Sequence, residues 1–151
     1  MKLNNKFINA FTLIELSLIL AIGSFLVVAV SVPVSKMLRK VAVDSTSDNI
    51  LLAIQNARQN SMNSKDDENW GICLVSNKIY VFSGSCDSNG RKESYVVQNL
   101  SSISGLNTTT FSKLYAEPNP SSGLSNVVIS SGNYSKRISV ASFGGVNVTV
   151  N

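Results

Sequence analysis

Apolar and polar positions are spread unevenly along this chain, and their period changes once. From Phe11 to Val34, 17 of 24 residues are apolar, and Leu16 to Val34 is a run of 19 residues without a charge. A helix of about 20 such residues crosses a bilayer core of roughly 30 Å. Further on, Val43, Ser47, Ile50, Ile54 and Ala57 recur at spacings of three or four, while Asp44, Asp48, Gln55 and Arg58 fall on other faces. That stripe predicts one helix from Phe11 to about Ser61, its second half packed under something. Gly23 and Pro33 bracket a section weakened by low propensity and a missing backbone donor. The polar stretch from Asn60 to Asn69 ends the helix.

Beyond Trp70 the period becomes 2. Ile72 to Val75 and Ile79 to Phe82, separated by Ser76 and Asn77, read as a β-hairpin. Tyr95 to Val97, Thr109 to Leu114 and Val127 to Ile129 predict further strands. Ile138 and Val140 precede a turn at Phe143-Gly144-Gly145, after which Val146, Val148 and Val150 share one face of a last strand. About 80 residues without a second long helix predict an antiparallel sheet against the distal half of the stem, an α+β fold. The domain plan is a leader at 1–10, a stem helix at 11–61 with a membrane span at about 11–34, and a β-rich head at 62–151.

Composition narrows the chemistry. The chain has 151 residues, 13 Lys and Arg against 9 Asp and Glu, two cysteines and no histidine. Without histidine, His-based triads, zinc hydrolases and haem-His sites are excluded, and no other residue pattern offers an activated serine. No enzyme activity, cofactor or metal is expected. Asp66-Asp67-Glu68 and Asp87-Ser88-Asn89-Gly90 read as solvated turns rather than calcium loops. The Asn-X-Ser/Thr matches at Asn99, Asn107, Asn133 and Asn147 arise by chance in so Asn- and Ser-rich a chain.

The apolar run admits three origins. A head of about 90 residues is too small to cover a helix that is apolar all round. A secretory signal peptide would fit the basic start (Lys2, Lys6) and a small-residue site at Ala29-Val30-Ser31. Its apolar core would, however, exceed the usual 7–15 residues and carry a carboxylate, Glu15, near its start. A retained span is the expectation. Glu15 then needs a cation, and no Lys or Arg lies between Lys6 and Lys36. Cleavage just before Phe11 would create one, an α-amino group four residues away.

The string Ala10-Phe11-Thr12-Leu13-Ile14-Glu15-Leu16 resembles the processing site of type IV prepilins and type II secretion pseudopilins. In that family a basic leader is removed before a phenylalanine that is then N-methylated, and a glutamate stands at the fifth mature position. The resemblance covers residues 1 to about 35. It implies cleavage between Ala10 and Phe11, N-methylation of Phe11, and pairing of Glu15 with the amino terminus of a neighbouring subunit. Ala10 departs from the usual glycine, which implies slower cleavage. The strand, glycine-containing turn and last strand from Lys136 to Val150 resemble minor pseudopilins of the GspH/FimT type. Implied partners are other pilin or pseudopilin subunits, a prepilin peptidase and methyltransferase, an inner-membrane assembly platform and membrane lipid. The implied location is a single pass through the cytoplasmic membrane with the head outside, then a periplasmic or cell-surface filament.

Cys73 and Cys86 are 12 intervening residues apart. Outside the cytoplasm a disulfide is favoured over two reduced thiols. Arg91-Lys92 and Lys136-Arg137 are the cation pairs of the head; the resemblance to minor pilins implies for them a second function, that of a DNA-binding minor pilin acting in DNA uptake, although a DNA groove wants several clustered cations and these are two separated pairs. Charge divides by segment: the leader holds Lys2 and Lys6, the stem four cations against three acids, and the head seven against six. Half of the excess of +4 therefore sits in the leader, and the head is nearly neutral.

Overall fold

The computed structural model describes residues 12–63, 67–113, 115–119, 121–141 and 145–150, with the side chains of 27–32, 121 and 122 also outside the description. The chain falls into two units divided after Lys36.

In the first unit, the described residues from Leu13 onward belong to α1 (Leu13–Met62), which runs into the second unit. The helix passes Gly23 and Pro33 without interruption, so the stretch expected to be weak is helical. Pro33 forgoes one backbone bond, and the turns on either side carry the helix across it. Its large side chains between Leu13 and Leu26 are exposed. Among the described residues no helix is long and apolar enough to cross a membrane. The expected span at about 11–34 includes Phe11 and the side chains of 27–32, which lie outside those residues.

The second unit is α+β, a pilin-like arrangement in which the later part of α1 packs on antiparallel sheets. The predicted stripe is the packed one: Val43, Ile50, Ile54 and Ala57 are fully buried, and Ser47 nearly so. Facing it are two sheets where the sequence predicts one. The first has the order β3-β2-β1-β5-β6, from β1 (Trp70–Val75), β2 (Lys78–Ser83), β3 (Arg91–Val96), β5 (Thr109–Phe111) and β6 (Pro118–Asn119). The second has the order β4-β7-β8-β9, from β4 (Ser102–Ser104), β7 (Val127–Ser131), β8 (Tyr134–Val140) and β9 (Val146–Val150).

Both two-residue hairpins follow from turn chemistry. Between Val75 and Lys78, Ser76 and Asn77 take φ of 49° and 61°, the left-handed pair that matches the twist of the strands. Between Ser131 and Tyr134, Gly132 takes φ of 60° at the first turn position, where glycine carries no steric penalty. The strand predicted over Thr109 to Leu114 stops at Phe111. Ser112 opens a turn there, accepting from Ala116 and donating to Glu117, and Ala116 has φ of 53°. Leu114 lies outside the described residues, as do Phe143 and Gly144 of the expected last turn.

Pairing register sets which side chains face the helix. Trp70, Ile72, Val81 and Phe111 do so from the first sheet, and Ile129, Ile138 and Val140 from the second. Each such side chain contributes about 1.5–3 kcal/mol by leaving water. The opposite face of the first sheet holds a smaller cluster. Phe82 is paired with Gly71 and buried there, and a Cβ on Gly71 would collide with the Phe82 ring and the Thr109 carbonyl.

Candidate functional site

At the start of the helix, Thr12 caps the chain. The Glu15 N–H donates to the Thr12 carbonyl at 3.1 Å and to its Oγ1 at 3.3 Å, and the Leu16 N–H donates to the same carbonyl at 3.2 Å. Thr12-Leu13-Ile14-Glu15 thus has the spacing of a capping box, with a threonine at the cap and a glutamate three residues on. The Thr-X-X-Glu spacing is the sequence signal for Thr12, and reading Glu15 as an intramembrane charge makes no use of it. Glu15 itself is exposed, between Ile14, which is 77% accessible, and Leu16, at 53%. Ala10 and Phe11, the expected processing site, lie outside the described residues.

A second constellation fixes the head on the helix. Lys136 on β8 reaches Asp44 of α1 at 2.8 Å, and the Tyr134 hydroxyl donates to the same carboxylate at 3.1 Å. Lys40 lies 5.9 Å from the centroid of the Tyr134 ring, within cation–π range. Lower on the helix, the Asn56 amide donates to the Glu93 carboxylate and, at 3.2 Å, to the Tyr95 hydroxyl. The buried Thr46 shares a 2.8 Å hydrogen bond with Ser101, and the Ser61 hydroxyl donates to the Phe111 carbonyl at 2.7 Å. Polar groups on the packed side of α1 are therefore matched to both sheets, which sets the rotation and axial position of the head on the helix.

The electrostatics of that cluster have a sign. The hydrogen bond from Lys136 holds the Asp44 carboxyl below the usual carboxylate value of 3.8, against the opposing effect of burial. The same bond raises the Lys136 ammonium above 10.5, and burial raises the Tyr134 hydroxyl above 10.0. Because the folded Asp44 value is depressed, its contribution is fully present above about pH 4 and is lost as pH falls through the folded value. Because the folded Lys136 value is raised, its contribution is fully present below about pH 10 and is lost as pH rises through the folded value. Asp44→Asn is expected to cost about 1 kcal/mol at neutral pH, given the partial exposure of the pair. It should also flatten the acid limb of the stability profile. Urea titrations near neutral and near pH 3, followed by fluorescence of the single tryptophan, Trp70, read both effects. An unchanged acid limb in the variant would assign that limb to other carboxylates.

The four cations of the head proposed for nucleic acid are not brought together. Arg91 stacks over the Tyr80 ring with its guanidinium 4.8 Å from the centroid and donates to the Cys86 carbonyl at 3.2 Å. Lys136 belongs to the Asp44 pair. Adjacent residues of a strand point to opposite faces, so Arg137 is exposed while its neighbour reaches the helix. Lys92 is exposed on β3, in the other sheet.

Cys73 and Cys86 form a disulfide with Cα atoms 6.4 Å apart. It ties the loop after β2 to β1, on the face that carries Phe82. Within that loop Asp87 accepts from the Gly90 N–H at 2.7 Å, the Asn89 N–H at 3.0 Å and the Ser85 hydroxyl at 2.7 Å. These bonds, that of Gly90 foremost, hold its carboxyl below the usual range. The carboxylate closes the turn from within. Asp67 instead pairs with Lys113 at 2.8 Å, which lowers its carboxyl in the same way. Asp66 lies outside the described residues.

Compared with known protein families, characterised proteins and solved structures, the chain matches none.

Proposed function

We propose that this chain is a structural filament subunit, a minor pilin or pseudopilin of a type IV pilus, a type II secretion pseudopilus or a competence filament. The observation that carries the reading is Phe11-Thr12-Leu13-Ile14-Glu15-Leu16 at the head of 19 uncharged residues. A carboxylate at that depth in an apolar helix is costly unless a cation meets it. A new amino terminus at Phe11 supplies that cation without any Lys or Arg in the stem. The exposed large side chains from Leu13 to Leu26 need a covering of lipid or sibling stems. The disulfide supports a head outside the cytoplasm.

In this reading the chain inserts into the cytoplasmic membrane and a prepilin peptidase and methyltransferase process it. An assembly platform then draws it into the filament. The stem packs among other stems, Glu15 pairs with a neighbouring Phe11 amine, and the Asp44–Lys136–Tyr134 cluster keeps each head in one position on its own helix.

Expression beside a prepilin peptidase and methyltransferase tests this. The membrane-bound product should begin at N-methylated Phe11, shorter by the ten residues before it. A mature chain that keeps Met1, or that starts near Val32, would overturn the reading. Intact-mass and N-terminal fragment spectra distinguish the three.

A further inference from the structure

Among the described residues, the second sheet ends in two edge strands that carry neither charge nor proline. β9 is exposed at every position, with Val146, Val148 and Val150 at 38%, 37% and 59%. Opposite it, β4 is Ser102-Ile103-Ser104, exposed at both serines. Edge strands are usually blunted by charge or proline. In the first sheet they are: β3 carries Arg91, Lys92 and Glu93, and β6 begins with Pro118 next to Glu117. In the second sheet neither device is present. No charge occurs from Ser94 to Ser112, which contains β4, or from Ile138 to Asn151, which contains β9.

Strand direction then selects the occupant. The four strands alternate in direction, since β4–β7, β7–β8 and β8–β9 are all antiparallel. β4 and β9 therefore run oppositely. A second copy moved sideways in the same orientation brings its β4 antiparallel to β9, so the sheet continues without a change of pattern. Pairing two β9 strands antiparallel instead needs a two-fold axis normal to the sheet. That axis reverses the helix packed on it, and two copies inserted in one membrane cannot be so related.

Side chains fit the same choice. Ile103 pairs with the buried Ile129, and Val148 with the buried Ile138, so both lie on the helix-facing side. Ile103, Ile129, Lys136 and Val150 lie in one row, and a slide of two residues along the strand from that level sets Val148 against Ile103 of the next copy; Asn147 then stands opposite Ser104 and Thr149 opposite Ser102, apolar on apolar and polar on polar. A shift of four strand spacings, roughly 19 Å, leaves room for a helix 10–12 Å across.

We infer that where two copies of this chain adjoin, β9 of one pairs with β4 of the other, so that heads with parallel stems share one sheet. The inference rests on the filament reading, because a contact of three to five residues per strand is far below the roughly 1,600 Å² of a free-standing interface. It therefore needs stems that already hold the copies side by side.

The full-length chain in membranes carries the test. Asn147→Cys and Ser104→Cys, both at exposed positions, are expressed singly and together and mildly oxidised. Co-expressed single variants should give a disulfide-linked dimer, and the double variant a ladder. Asn147→Cys alone should give at least tenfold less product, and adding Thr149→Lys should reduce the ladder at least tenfold. Equal cross-linking by Asn147→Cys alone, a product containing a different protein, or no cross-link would each overturn the inference. The N-terminal mass of the same sample separates the two ideas. Processed Phe11 without cross-links sinks the edge pairing and leaves the filament reading, whereas cross-links on a chain that keeps Met1 do the reverse.

Discussion

Glu15→Leu is expected to insert into the membrane at least as well as the parent chain and to disappear from assembled filaments. Near the middle of a bilayer an ionised carboxylate costs about 2.5–3.5 kcal/mol, and less towards the interface, so its removal cannot hinder insertion. Assembly is different. Once stems exclude lipid and water, the Phe11 amine of a neighbour is left without its partner, and breaking a buried pair costs about 3–5 kcal/mol. That range corresponds to a loss of incorporation of more than a hundredfold.

Thr12 supplies a rival explanation, since the same glutamate stands at the third position of a capping box and its N–H donates to Thr12 Oγ1 at 3.3 Å. Glu15→Gln separates the two roles. Glutamine serves a capping box almost as well as glutamate, but it cannot neutralise an ammonium. A filament-negative Gln variant with normal helix content assigns Glu15 to pairing. Normal incorporation of the Gln variant assigns it to capping, and normal incorporation of the Leu variant removes both roles. Quantifying sheared filaments against the membrane pool reads each outcome.

The parts of the fold that were legible are those in which a local rule and the packing agree. Val43, Ser47, Ile50, Ile54 and Ala57 show one helical face, and that face is the buried one. Ser76-Asn77 sits between two apolar runs, and its two left-handed residues make the hairpin. The division of strands between two sheets was not legible. It depends on β1 choosing β5 and β7 choosing β4, pairings of residues far apart in sequence whose short partners, Thr109–Phe111 and Ser102–Ser104, carry almost no pattern of their own. Alternation marks the valine face of β9, but it states only which side chains lie together. It does not state whether anything covers them, and here they remain exposed.

The four cations of the head lie apart for a related reason. Lys136-Arg137 reads as a basic pair in one dimension, yet a strand sends its neighbours to opposite sides. A charged residue in step with Tyr134 and Ile138 faces the helix, where Lys136 meets Asp44. Arg91 likewise belongs to the wall of the head, over Tyr80. Glu15 stands out for a chemical rather than a geometric reason: an ionisable group in an apolar run demands a partner wherever the helix lies.

The largest effect on stability should come from Cys73→Ala combined with Cys86→Ala. Closing a loop with a sequence separation of 13 stabilises by about 3 kcal/mol in the chain-entropy view. For a head of this size that lowers the Tm by about 15 °C. The disulfide stands over the smaller of the two cores. Cys73 is 1% accessible on β1, Phe82 is 1% accessible and lies against Gly71, and the loop that carries Cys86 also receives the Arg91 guanidinium. Without the bond, that loop keeps the Asp87 turn, the part-buried Arg91 contact and the Gly84 N–H bond to the Asn69 carbonyl. The burial of Trp70 at 2% makes its fluorescence a report on the main core. Thermal unfolding of the purified full chain in mild detergent should therefore show one transition, shifted downward in the double variant. A shift of only a few degrees would mean that the loop is held by the Asp87 turn and Arg91 rather than by the disulfide. A new early transition that leaves Trp70 buried would mean that the outer cluster opens by itself, and that the disulfide protects the loop over Phe82 rather than the helix–sheet core.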